Sequence, residues 1–154
     1  MGPMRVLFAT TGGAGHFGPL VPFASACVRS GGPLAASVRV ERWIDQPAVM
    51  RQAAVMVGHG GAGSVLGALA AGVPMALIPL FADQPLNAPR IAELAAGVAL
   101  EGGTTATPAL AAVVPELVSN PGYHAAARRI ADEIANLPAI HEAVGALGTL
   151  TARS

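Results

Sequence analysis

Two glycine-rich loops and a few side chains around them are the parts of this 154-residue sequence that could do chemistry. Gly13-Ala14-Gly15-His16-Phe17-Gly18 and Gly58-His59-Gly60-Gly61-Ala62-Gly63 both fit the spacing G-x-G-x-x-G. Such loops let backbone N–H groups approach a phosphate and seat it on a helix N-terminus, where the dipole favours negative charge. His59 can donate to a phosphate oxygen, and Ser64 adds a hydroxyl at the same helix start. Trp43 offers a flat face on which a ring can stack, and Gln46 an amide that can hydrogen-bond a polar ligand. Asp83 and Gln84 are residue types that can make bidentate bonds to a pair of hydroxyls, while Asn87 suits a cap or brace of the following helix. Each feature has an ordinary alternative: glycines for close helix-to-sheet packing, a core Trp43, a helix-capping Ser64, a simple turn at Asp83. All of them together are harder to assign to packing alone.

The elements that must position these residues follow from hydrophobic patterning. Arg5 to Thr10 is a short apolar run ended by the first glycine loop, as expected of a strand buried on both faces. Pro19 to Arg29 carries apolar residues at helical spacing and stops at Ser30-Gly31-Gly32-Pro33. Ser37 to Arg42 alternates as a second strand, with a short helix around Pro47 to Gln52. Ala54 to Gly58 is a third strand, Ser64 to Ala71 a small-residue helix, and Pro74 to Pro79 a fourth strand. Asn87 to Ala96 reads as a helix and Val98 to Leu100 as a last strand; Pro108 to Ser119 and Tyr123 to Asn136 read as closing helices. Strands alternating with helices imply an α/β fold, a doubly wound parallel sheet of about five strands in one compact domain.

Composition excludes several functions. Nine acidic and nine basic residues cancel, and no basic cluster exceeds Arg128 and Arg129, so no nucleic-acid or membrane partner is expected. All nine basic residues are Arg, which rules out a P-loop, Schiff-base or kinase-type lysine. The single Cys27 forms no internal disulfide, and no Cys/His pair stands at zinc spacing. Ala53 to Ala82 lacks Asp, Glu and Arg, yet Gly72, Pro74 and Pro79 cut it into pieces too short to span a bilayer. A soluble, cytoplasmic protein is expected.

Four motifs then occur in a fixed order: Trp43-Ile44-Asp45-Gln46, Gly58 to Ser64, Ala70-Ala71-Gly72-Val73-Pro74, and Asp83-Gln84-Pro85-Leu86-Asn87-Ala88. Together they resemble the C-terminal, nucleotide-sugar-binding half of the two-domain glycosyltransferases of the UDP-glycosyltransferase superfamily, most like its bacterial natural-product and macrolide branch. The similarity runs from about Ser37 to about Leu150, and the segment Tyr123 to Ala131 followed by Leu137-Pro138 also looks like that family's C-terminal end. The resemblance implies half of a GT-B fold and binding of a UDP- or dTDP-sugar. Trp43 and Gln46 would hold the nucleoside, His59, Gly60, Gly61, Gly63 and Ser64 the diphosphate, and Asp83 and Gln84 the sugar. It further implies inverting transfer of the hexose to the hydroxyl of a small acceptor, with no metal and no cofactor beyond the donor substrate.

Gly15 to Ala24 resembles the start of the same family's acceptor domain, where the histidine is the general base; His16 is the corresponding catalytic candidate. The dipole at a helix start favours the neutral imidazole that a base requires. Residues 1–36 would then belong to the start of the acceptor domain and 37–154 to the donor domain. The match passes from the first acceptor-domain helix to the middle of the donor domain across Gly31 to Ser37, so a shortened form is expected. It would act either as a transferase or as a nucleotide-sugar-binding unit that transfers nothing alone. Apolar surface left uncovered would favour a homodimer. If the first strand replaces a donor-domain strand, the sheet order is 2-1-3-4-5 and both glycine loops face one ligand, with His16 beside the diphosphate. The rival from a different class is a nicotinamide-dependent oxidoreductase built on Gly13, Gly15, Gly18 and Glu41, the acidic residue about twenty positions on that would hold a ribose hydroxyl.

Overall fold

The computed structural model describes residues 6–9, 43–142 and 144. In chain order the elements are β1 (Val6–Ala9), α1 (Gln46–Met50), β2 (Val55–Gly58), α2 (Ala62–Ala70), β3 (Met75–Leu77), α3 (Gln84–Glu93) and β4 (Gly97–Ala99). A 3-10 segment (Gly103–Ala109), α4 (Leu110–Ser119) and α5 (Pro121–Ala135) follow. Among the described residues the sheet has four strands in the order β1-β2-β3-β4, with every neighbouring pair parallel. The helix expected at Pro19 to Arg29 and the strand expected at Ser37 to Arg42 lie outside the described residues.

The alternation within the strands explains why helices cover both faces. Met56, Met75 and Leu77 point into one core with Val65 and Leu69 of α2, Ala88 and Ile91 of α3, Ala127 of α5 and Met50 of α1. Val55, Val57, Ala76 and Ile78 point the other way, onto Ala106, Leu110 and Leu117. Adjacent strand residues face opposite sides, so a strand that is apolar throughout must be buried on both. Each large side chain so buried contributes roughly 1.5 to 3 kcal/mol. Among the described residues no helix is long and apolar enough to cross a membrane.

Helix ends depart from the sequence expectation for identifiable reasons. In α2 the apolar residues Val65, Ala68 and Leu69 recur at helical spacing. The helix closes where Gly72, at φ +67, lets Gly72 N–H reach the Leu69 carbonyl at 3.0 Å and Val73 N–H the Ala68 carbonyl at 2.9 Å. The end of α3 has the same geometry built on Ala95 at φ +54, with Ala95 N–H on Ala92 and Ala96 N–H on Ile91. No glycine announces that stop, and the helix therefore ends at Glu93 rather than Ala96. At its other end α3 starts at Gln84, taking Pro85 into its first turn, where the missing N–H costs nothing. Asn120 caps α5 by accepting from Gly122 N–H at 2.9 Å, with Pro121 as the first helical residue.

Candidate functional site

Strand register places the ends of all four strands level. Ala9 pairs with Gly58, Gly58 with Leu77, and Leu77 with Ala99, so the chain segments leaving β1, β2 and β3 begin side by side at the carboxyl edge of the sheet. In open parallel sheets this edge is where ligands bind. The β2–α2 and β3–α3 loops carry most of the candidate residues.

The β2–α2 loop needs its glycines for two different reasons. Gly60 has φ +88, a conformation that L side chains rarely adopt. At Gly61 the reason is space: a Cβ there would stand 2.7 Å from Nε2 of His59. The imidazole therefore lies against the loop and is largely buried. Gly61 caps α2 without a side-chain acceptor, and Val65 N–H takes the Gly61 carbonyl at 3.1 Å. Ala62 N–H goes to Oδ2 of Asp83 at 3.1 Å. The N–H groups of Gly63 and Ser64 have no acceptor within the helix, as in any first turn. Among the described residues, nothing beyond the backbone of α2 itself lies within 4 Å of where a Cβ on Gly63 would be.

Gln46 joins this turn from a separate element. Its Nε2 donates to the Ser64 hydroxyl at 3.2 Å across 18 residues of sequence. The start of α1 is set by Asp45, which accepts from Ala48 N–H at 3.1 Å, and by Pro47 in the first turn. Trp43, two residues before that cap, is 80% exposed, so it is a surface residue and not part of the core. Gln46 and Ser64 are thus brought together, with Trp43 on the approach to α1.

The β3–α3 loop supplies a carboxylate whose geometry is unusually constrained. Ala82 sits at φ +58 immediately before Asp83. Oδ2 of Asp83 accepts from Ala62 N–H and from Nδ2 of Asn87, the latter at 2.8 Å. The Ala62 N–H, then the Asn87 amide, hold this exposed carboxyl below its usual range, with a smaller contribution from the charge of His59. Oδ1 takes part in neither bond. Asn87 also donates to the Gly60 carbonyl at 2.9 Å, so it braces the preceding loop as well as its own helix.

Gln84 is turned the other way. It is 2% exposed, and its Oε1 accepts from Leu80 N–H at 2.9 Å and Phe81 N–H at 3.2 Å. Both partners are donors, so the engaged atom is the oxygen. The side chain closes its own loop and leaves only its nitrogen end for any other partner. Sequence reasoning missed this, the brace from Asn87 to Gly60 and the left-handed Ala82; none has a local sequence signal. His16, with Gly13, Gly15, Gly18 and Glu41, lies outside the described residues.

Residues 20–150 match the family model of the erythromycin biosynthesis protein CIII-like C-terminal domain. The elloramycin glycosyltransferase ElmGT of Streptomyces olivaceus is 37% identical over 137 residues, which is 88% of this chain and 34% of that protein. Among solved structures, the glycosyltransferase SnogD from Streptomyces nogalater superposes with a TM-score of 0.72 at 28% identity, over 97% of this chain and 42% of that one. The glycosyltransferase VinC in complex with dTDP superposes with a TM-score of 0.80 at 25% identity, over 99% of this chain and 42% of VinC. The chain thus spans about a third of the length of the curated relative it matches over most of its residues. All three are glycosyltransferases, and they lend the nicotinamide alternative no support.

Proposed function

The chain belongs to the erythromycin biosynthesis protein CIII-like C-terminal domain family, and from that membership we propose that it binds a UDP- or dTDP-sugar at the carboxyl edge of its sheet. The reaction served is inverting transfer of the hexose to an acceptor hydroxyl. One observation carries the assignment: the first turn of α2, whose Gly63 and Ser64 N–H groups have no acceptor within the helix, starts beside a carboxylate that is anchored to the same turn through Ala62 N–H. The diphosphate lies on those N–H groups and on the Gly60–Gly61 backbone, with His59 behind the loop. As the bond between sugar and phosphate breaks, negative charge grows on the departing diphosphate, and fixed N–H dipoles stabilise it without reorganising. Trp43 stacks on the base, and Gln46, tied to Ser64, holds the base or ribose. Asp83 takes the sugar hydroxyls through Oδ1, while Gln84 shapes the loop around them. The dTDP bound by VinC supports a thymidine or uridine nucleotide as the ligand here.

The level register of Ala9 and Gly58 favours a second arrangement for His16. Because β1 ends level with β2, we propose that His16 serves as a further phosphate contact, in the strand order 2-1-3-4-5 expected from the sequence. On that arrangement the chain holds the donor and performs no transfer by itself; the alternative role for His16 is the base that takes the acceptor proton.

A thermal melt with excess UDP, dTDP or NAD tests the binding. Ligand at about a hundred times its dissociation constant adds roughly 2.7 kcal/mol, so UDP or dTDP raises the transition and NAD leaves it unchanged. A shift with NAD alone would reverse the assignment. Hexose transfer to a small hydroxylated acceptor by the purified chain then separates enzyme from binding unit.

A further inference from the structure

We propose that Asn87 is a positioning residue for the diphosphate loop: one amide nitrogen clamps the Gly60 carbonyl and the Asp83 carboxylate, holding the diphosphate and sugar ends of the site at a fixed separation. The inference rests on the donor-site assignment above. The clamping atom must be nitrogen, because the Gly60 oxygen at 2.9 Å and Asp83 Oδ2 at 2.8 Å can only accept. Asn87 stands one turn into α3, half-buried, four residues from Asp83 and therefore on the same helix face. Gly60 lies over this turn: a Cβ on it would stand 3.7 Å from the Gln84 carbonyl and 3.9 Å from the Ala88 Cβ.

The bond matters because Gly60 adopts φ +88 in a backbone that has other conformations open to it. In a trans peptide the carbonyl and the following N–H point in opposite directions. Holding the Gly60 carbonyl on α3 thus turns the Gly61 N–H away from α3. A rotated peptide would present a carbonyl in its place and repel a phosphate. The second bond, to Asp83, secures the carboxylate that also takes Ala62 N–H at 3.1 Å. Through Asn87 and Ala62, the loop and the carboxylate move as one piece.

The test measures affinity for dTDP and UDP against the matching monophosphates dTMP and UMP, for the full chain and for Asn87→Ala and Asn87→Asp, after a melt of each. The preference for diphosphate over monophosphate drops roughly three- to tenfold in Asn87→Ala, the worth of about one hydrogen bond, while monophosphate affinity is retained. Asn87→Asp sets a second carboxylate against Asp83, so it loses more near pH 8 and recovers part of the loss as the pH falls and the pair takes up a proton. Asp83, and His59 through its charge on Asp83, are the described titratable groups facing position 87; Arg90 on the same helix is paired with Glu93. Each affinity is therefore taken relative to the unsubstituted chain at the same pH. An unchanged preference, an equal loss for both ligand classes, or a deficit that ignores pH would overturn the clamp. If Asn87→Ala does not melt cooperatively, Asn87→Asp, which keeps the shape of the side chain, decides. A native chain that binds neither diphosphate removes the donor site itself, an outcome distinct from native binding with indifferent variants.

Discussion

The carboxylate of Asp83 accepts the N–H of Ala62 at 3.1 Å, so the start of α3 caps the start of α2 across 21 residues of sequence. One helix lends its N-cap residue, Asp83, as the anionic cap of another, in place of the side-chain acceptor that Gly61 lacks. The cap draws on the Ala62 N–H of this turn, and the proposed diphosphate site on the neighbouring N–H groups of Gly63 and Ser64.

This cap has a pH signature. Its bonds stabilise the charged carboxylate, so the folded-state pKa is below the unfolded value of 3.8. The contribution is present in full above about pH 5 and is lost as pH falls through the depressed folded value. The melting temperature of the native chain therefore holds near neutrality and declines in acid, and Asp83→Asn shows a shallower acid decline. Parallel acid slopes for the two chains would show that the carboxylate bond contributes nothing to folding.

Two helix ends with the same hydrogen bonds and different residues make a paired comparison. Gly72 and Ala95 both occupy the left-handed position after a helix. Only glycine adopts it without the crowding of Cβ against the backbone. Ala95→Gly should raise stability by about 0.5 to 1 kcal/mol, and Gly72→Ala should lower it by about 1 kcal/mol or more, measured by urea unfolding. Arg128 adds to the second cost, since its Cγ would be 3.2 Å from the new Cβ and must shift. Equal and opposite neutrality at both positions would mean that neither stop is strained.

Gln84 separates a structural role from a ligand contact. Gln84→Leu would remove the Oε1 that accepts the Leu80 and Phe81 N–H groups. Each hydrogen bond so lost contributes about 0.5 to 1.5 kcal/mol. The expected result is a fall in stability of about 2 kcal/mol in denaturant unfolding. Gln84→Glu retains the acceptor and should recover most of it. A Gln84→Leu protein as stable as the native one would return Gln84 to the sugar.

The four described strands and the placement of the Gly58 to Gly63 loop were readable because they follow from local patterns: continuous apolar runs for strands buried on both faces, and glycine at the end of the run. Element ends were less readable. Pro85 looks like a break and is instead a tolerated first-turn residue, and Ala95 performs a stop that normally calls for glycine. In the site, residue types pointed to the loops that matter, but not to the direction each side chain takes. Asn87 to Gly60 spans 27 residues and Asp83 to Ala62 spans 21. Bonds between separate segments leave no periodic trace, so adjacent Asp83 and Gln84 looked alike although one faces the α2 helix start and the other its own loop.

Gly63 offers the sharpest separation of folding from binding. It lies in the first turn of α2 with open space where a Cβ would be, so packing does not demand glycine there. Alanine has the higher helix propensity, and Gly63→Ala should leave stability unchanged or raise it by up to about 1 kcal/mol. The same methyl group would take up space beside the Gly63 and Ser64 amides, where the phosphate is proposed to lie. Affinity for dTDP or UDP should therefore fall by about 1 to 2 kcal/mol while the melting temperature without ligand stays the same or rises, since a charge-assisted bond held at the wrong distance forfeits much of its worth. Calorimetric titration beside a melt reads both quantities on one preparation. Lower stability with intact affinity would place the glycine in the packing of α2 and move the diphosphate elsewhere along the sheet edge.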